Sequence, residues 1–151
     1  MVLVVGVQDP AERLGFLLWH LSQAFNIRAE HALAPLDLTL AQNSALMVLS
    51  AHPGASGAEL ARRCAVTAPA MGRAVDGLVK RGLVERSPRP GSRRIIGLWI
   101  TSSGVALAER AQELLESIET EILGGFSPAE REEVRRYMVR LVVGAGVYSL
   151  T

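Results

Sequence analysis

Between residues 56 and 100 the chain changes its hydrophobic period, and this constrains the fold more than any other feature. Ser56-Gly57-Ala58-Glu59 has the spacing of a helix capping box and opens a short helix through Leu60 to Cys64. Ala65-Val66-Thr67 reads as a tight turn. Thr67 caps a second helix, residues 68 to about 81, with Met71, Ala74, Val75 and Leu78 on one face. Gly82 stands in the C′ position that ends a helix. The period then drops to two. Leu83-Val84-Glu85-Arg86 and residues 95–100 are expected as strands, joined by a loop over residues 87–92 that carries Pro88, Pro90 and Gly91. Two helices across so short a turn, followed by a hairpin, spell a helix-turn-helix with a wing.

The flanks are helical. Asp9-Pro10-Ala11-Glu12 supplies the acceptor, proline and glutamate of a helix start. Leu14, Leu17, Leu18, Leu21 and Phe25 follow as one apolar stripe that ends before Pro35. Thr39-Leu40-Ala41-Gln42 is another capping box, ahead of Leu46, Met47 and Leu49, and His52-Pro53-Gly54 stops that helix. Thr101 or Ser102 starts a long helix with Val105, Ala108, Ala111, Leu115, Ile118 and Ile122 on one side and glutamates on the others. Gly124-Gly125 ends it. Ser127-Pro128-Ala129-Glu130 opens the last helix, striped by Val134, Tyr137, Met138, Leu141 and Val142. The expected fold class is mostly α (α+β): a winged helix-turn-helix with a two-stranded wing, plus a helical region from the N- and C-terminal helices.

At 151 residues the chain has one domain's worth of length. Hydrophobic residues make up 49% and charged residues 21%, which excludes disorder. The single cysteine, Cys64, builds neither an internal disulfide nor a cysteine zinc site, so a reducing, cytoplasmic location is expected. Cys64 follows Leu60 by four, which marks it as a buried structural residue. The apolar residues 1–7 lack a basic region and run into Asp9-Pro10, a poor signal peptide, and no apolar run approaches membrane-spanning length. No membrane partner is expected.

Enzyme chemistry finds no foothold. His20, His31 and His52 lie on separate segments without metal-ligand spacing, and Ser44, Ser50 and Ser56 lack a nucleophile-elbow context. There is no glycine-rich phosphate loop. The expectation is no catalytic residue, no metal and no cofactor. Charge is more informative. Overall it is +1, but residues 57–97 hold nine bases (Arg62, Arg63, Arg73, Lys80, Arg81, Arg86, Arg89, Arg93, Arg94) against three acids (Glu59, Asp76, Glu85), a net +6. A basic middle between acidic ends suits a polyanion. A helix fits the major groove, helix N-termini bind phosphate, and an arginine-bearing loop suits a narrow minor groove. The candidate DNA-binding residues are Ser56, Thr67, Ala70, Arg73, Arg93 and Arg94. Thr67 and Arg73 can hydrogen-bond, and Ala70 can meet a thymine methyl.

Glu59-Leu60-Ala61, Val66-Thr67, Arg73-Ala74-Val75-Asp76-Gly77-Leu78, Arg81-Gly82-Leu83-Val84-Glu85-Arg86 and Arg93-Arg94 through Ile100-Thr101 resemble the MarR family of bacterial regulators. The resemblance implies a homodimeric winged-helix transcription factor, usually a repressor. Such a protein binds double-stranded DNA at a near-palindromic site, with its recognition helices about 34 Å apart. It also implies release by a small aromatic or phenolic effector, for which Trp19 and His20 on the first helix are the candidate contacts. By the same resemblance residues 9–35 and 102–151 form the dimerisation region and residues 38–101 the DNA-binding lobe, and Arg94 enters the groove while Arg93 lies nearer a phosphate. The apolar residues 1–7 and 141–148 support pairing, since together they would form a large sticky patch. Three departures stand out. Ser92 replaces the acidic residue that usually precedes the paired bases. The recognition helix carries Ala68, Pro69, Ala70 and Gly72 where the family often has Ser and Thr. Trp99 sits at a strand position that is commonly polar. The bare helix motivates the alternative, a winged-helix protein-interaction module with little DNA affinity.

Overall fold

The computed structural model describes residues 9–146. Six helices and one hairpin follow in the order α1 (Leu14–Leu33), α2 (Leu40–Ala51), α3 (Gly57–Arg63), α4 (Ala68–Lys80), β1 (Val84–Arg89), β2 (Ser92–Ile100), α5 (Ser102–Ile122) and α6 (Pro128–Gly144). Residues 1–7 and Val147-Tyr148, read above as apolar, lie outside the described residues.

Helix starts follow local chemistry. Thr39, Ser56 and Ser127 each accept from the backbone N–H three residues on, and Gln42, Glu59 and Glu130 reach back to the cap N–H at 3.0, 2.7 and 2.7 Å. These three reciprocal caps each satisfy two amides that would otherwise lack a partner. The start at Asp9 behaves differently. Asp9 caps only a short 3-10 turn, Pro10–Glu12, and Arg13 is extended, so α1 begins at Leu14 rather than Pro10. Gly82 closes α4 at φ +70°, a left-handed position that costs glycine nothing.

The core lies between α1, α2, α3, α4 and α5. Leu33, Leu46, Leu49, Leu60, Met71, Leu78 and Val84 are fully buried, and Ala108, Ala111, Leu115 and Ile118 bring α5 onto them. The stripe on α1 divides. Ala29 and Leu33 enter the core, whereas Leu14, Leu17 and Leu21 are 58, 47 and 43% exposed. None of the α6 side chains is buried; Tyr137, Met138, Leu141 and Val143 face outward.

The hairpin is longer than its sequence suggests. Residues 87–92 were expected as a loop, but the strands run on to Arg89 and from Ser92, leaving Pro90-Gly91 as the turn. Pairing runs from Val84 opposite Ile100 to Pro88 opposite Ile96 and then jumps to Arg89 opposite Ser92. The jump leaves Arg93, Arg94 and Ile95 as a bulge on β2. Pro88 is tolerated because this two-stranded sheet has only edges. The other side of β2 docks on the α2–α3 connection: the Gly54 N–H donates to the Leu98 carbonyl at 2.8 Å, and the Leu98 N–H to the Ala55 carbonyl at 3.0 Å.

Candidate nucleic-acid interface

Helix α4 turns Met71, Ala74, Val75 and Leu78 into the core. Its opposite side presents Pro69, Gly72, Arg73 and Asp76 to solvent, and Ala70 is half-buried at the edge. The Thr67 hydroxyl accepts from the Ala70 N–H at 3.3 Å, which fixes the start of the helix while leaving the hydroxyl proton free to donate. Ser56 is tied more closely. Its hydroxyl accepts from the Glu59 N–H and its own N–H donates to the Glu59 carboxylate, so its first task is capping α3. Arg73 is exposed and makes no hydrogen bond or ion pair among the described residues.

Arg93 and Arg94, carried on the bulge next to the Pro90-Gly91 turn, are likewise exposed and unpaired among the described residues. The other bases of the cluster behave differently. Arg86 pairs with Asp76 of α4, which neutralises the one acid on the outward side of the recognition helix. Arg89 pairs with Glu59 of α3 and also grips the Gly54 carbonyl. Arg81 donates to the carbonyls of Asp37 and Leu36 at 2.5 and 3.1 Å, tying the end of α4 to the α1–α2 connection. In the sequence all of these belong to one basic stretch, expected as a single electrostatic footprint. The structure makes Arg81, Arg86 and Arg89 internal fasteners, a role no local spacing announces because their partners lie 44, 10 and 30 residues away. The Arg89 guanidinium and the Ser56 amide hold the Glu59 carboxyl down at about 2, far below its ordinary value.

Trp99 packs its ring across Gly54, where a Cβ would come within 2.8 Å of the indole. Gly54 adopts φ +80°, so it is glycine for two reasons: the left-handed backbone and the ring lying on it. Trp99 is therefore packing at the base of the wing, which accounts for an aromatic at a commonly polar position. Cys64 ends α3 and is partly buried, and burial pushes its thiol up to about 11.

The two residues proposed as effector contacts lie together on α1. Trp19 and His20 meet edge to face with centroids 4.9 Å apart, and Phe16 sits 4.3 Å from His20. All three are exposed. At 100° per residue they lie opposite Leu18, Leu21 and Phe25, which line an apolar cavity of about 500 Å³ with Ile122, Leu123 and Met138. Among the described residues no group of three or more His, Cys, Asp or Glu side chains could hold a metal ion, and no single helix is long and apolar enough to cross a membrane.

A short helix, a left-handed turn at Ala65, a second helix with one outward arginine and a basic wing together define a winged helix-turn-helix of the DNA-binding class. Known proteins agree. The family model described as MarR family matches residues 36–95. The HTH-type transcriptional repressor Rv2887 of Mycobacterium tuberculosis is 34% identical over 137 residues, covering 91% of this chain and 98% of that protein. The multiple antibiotic resistance protein MarR of Escherichia coli is 31% identical over 102 residues, 68% of this chain and 71% of that one. Rv2887 in complex with DNA superposes with a TM-score of 0.72 at 32% identity, covering 85% of this chain and 97% of that chain. Its complex with salicylic acid superposes with a TM-score of 0.72 at 33% identity, over 85% and 96%. The chain belongs to the MarR family of winged-helix transcriptional regulators.

Proposed function

We propose that the protein is a cytoplasmic, homodimeric repressor that binds double-stranded DNA at a near-palindromic site and leaves it when a small aromatic or phenolic ligand binds. The observation that carries the reading is the division of the basic residues. Arg81, Arg86 and Arg89 are spent inside the lobe, while Arg73 on α4 and Arg93 and Arg94 on the wing stay exposed and unpaired. Arg73 and Thr67 meet base edges or phosphates in the major groove and Ala70 meets a thymine methyl, with Ser56 at a phosphate. Arg94 enters the minor groove and Arg93 holds a phosphate. Few side chains on α4 read bases, so recognition leans on the wing and on DNA shape.

Residues 38–101 form the DNA-binding lobe. Residues 9–35 and 102–151 form the dimerisation region. The exposed Leu14, Leu17 and Leu21 of α1 and Tyr137, Leu141 and Val143 of α6 support that division, because a second copy covers them. The complexes of Rv2887 with DNA and with salicylic acid support both binding partners, and Trp19 and His20 are the proposed ligand contacts.

The test is selection of bound duplexes from a random pool, followed by titration with salicylate. The expected result is a two-fold-symmetric consensus, bound by two chains and released by the ligand. Recovery of no enriched sequence would overturn the reading in favour of a protein-interaction module.

A further inference from the structure

Besides the Arg86–Asp76 pair to α4, the wing is fastened at two points to the connection between α2 and α3 and the first turn of α3. The first is backbone: Leu98 on β2 pairs with Gly54 and Ala55. It lies near the base of the hairpin. The second is a side chain close to the tip. Arg89, the last residue of β1, donates from Nε and Nη2 to the Gly54 carbonyl at 3.0 and 2.8 Å, and Nη2 also meets Glu59 Oε2. That same carboxylate oxygen accepts the Ser56 N–H at 2.7 Å, so one atom of Glu59 holds both the start of α3 and the wing. Arg89 stands opposite Ser92, immediately before the bulge that carries Arg93 and Arg94. Beyond Arg89 nothing else among the described residues ties the tip to the body of the lobe.

We propose that the Glu59–Arg89 clasp sets the orientation of the wing tip, and that Arg89 is a positioning residue acting on DNA through Arg93 and Arg94. This rests on the DNA-binding reading above. A charge-assisted bond at the base of a two-residue turn removes rocking freedom from the tip before DNA arrives, so less ordering is left to be done on binding. With no acid at Ser92 on β2, the carboxylate that holds this end of the wing comes from α3 instead. An acid so near a DNA-binding surface ordinarily weakens binding by repelling phosphate. The clasp reverses that sign for Glu59.

Two measurements test it. The first follows binding of the selected symmetric duplex across a salt series for wild type, Glu59→Gln, Arg89→Gln, Arg94→Ala and their double variants. Gln at position 59 keeps the helix cap and removes only the charge. Glu59→Gln should weaken binding roughly three- to tenfold although it deletes a negative charge. Arg89→Gln should match it with an unchanged salt slope, the double variant should be no worse, and the Arg94→Ala loss should shrink in either background. Tighter binding by Glu59→Gln overturns the proposal. So does a salt slope shallower by about 2 for Arg89→Gln, which would make Arg89 a phosphate contact in each protomer.

The second needs no DNA. Hydrogen exchange at the amides of residues 91–95 should accelerate in Glu59→Gln and Arg89→Gln, while the far-ultraviolet spectrum stays that of wild type. Unchanged exchange overturns the clasp. Accelerated exchange in a protein whose wild type binds no duplex keeps the clasp and overturns the DNA-binding reading instead.

Discussion

Gly104, in the first turn of α5, lies against the carbonyl oxygen of Leu83, closer than any side chain would permit. Thr101 fastens the same junction: its N–H donates to that carbonyl at 3.0 Å and its hydroxyl to the Gly82 carbonyl at 2.8 Å. The end of the recognition helix, the root of the wing and the start of the long helix thus meet within a few residues.

Gly104→Ala places a methyl group on the Leu83 oxygen and against Ile100. Overpacking of this kind costs about 1–3 kcal/mol, and in a chain of this size each kcal/mol lowers the melting temperature by roughly 2–4 °C. Gly72→Ala is the control. It sits mid-helix with nothing within 4 Å of its added carbon, so it should stabilise α4 by about 0.4–1 kcal/mol. Calorimetry on the two variants should move the midpoint in opposite directions. Equal shifts would remove the close contact as the cause.

Cys64 is expected to be chemically quiet. Burial raises its thiol from 9.0 to about 11, so at neutral pH little thiolate exists to react. Mild peroxide should leave DNA binding intact, and oxidative loss that Cys64→Ser abolishes would contradict this. The sign of the pH effect follows by linkage. The unfolded chain releases the thiol proton first, so this contribution is full below about pH 9 and is lost as pH climbs towards about 11. Urea melts at pH 8 and 10.5 should show a smaller alkaline fall for Cys64→Ala than for wild type.

Glu59 gives the opposite dependence. Its carboxyl titrates at about 2 in the folded chain against 4.5 unfolded, so its contribution is full above about 4.5 and fades as pH drops towards about 2. Wild type should exceed Arg89→Gln in stability at pH 7. The gap should narrow as pH falls below about 4.5 and shrink towards the share owed to the Gly54 carbonyl bonds only as pH falls through about 2. A gap independent of pH would mean that Arg89 contributes through its bonds to the Gly54 carbonyl alone.

Much of this architecture was legible because it is local. The capping boxes at Thr39, Ser56 and Ser127 and the C′ glycine at Gly82 are read within four residues, and they appear where the spacing puts them. The start at Asp9 misled because a proline turn and a helix N-terminus share their first residues. The wing is longer than its prolines suggest because a two-stranded sheet has only edges, where Pro88 is tolerated within β1, and Pro90 falls in the turn itself. The division of the basic cluster was beyond the sequence. Nothing near Arg89 says that Glu59 lies within reach, and nothing near Arg86 distinguishes it from Arg93. Such pairings exist only once α3, α4 and the hairpin have packed.

The wing tip yields the sharpest prediction for DNA. Arg93 and Arg94 follow Ser92 on a bulge, so the regular alternation of strand side chains is broken where both guanidiniums emerge. Neither is neutralised by an acid among the described residues, in contrast to Arg86 and Arg89. On the proposed function Arg93 holds one phosphate in each protomer, so Arg93→Ala should make the plot of log K against log salt shallower by about 2. Arg94→Ala should discriminate by sequence, with a greater loss at A·T-rich flanks, whose narrow minor groove concentrates negative potential, than at G·C-rich flanks. Folding and dimerisation should be untouched by either change, because both side chains are exposed and bonded to nothing among the described residues. The check is anisotropy titration of the two variants and their combination on paired duplexes that differ only in the flanks. An unchanged affinity and slope in the double variant would sink the wing mechanism and move recognition onto Thr67 and Arg73 alone.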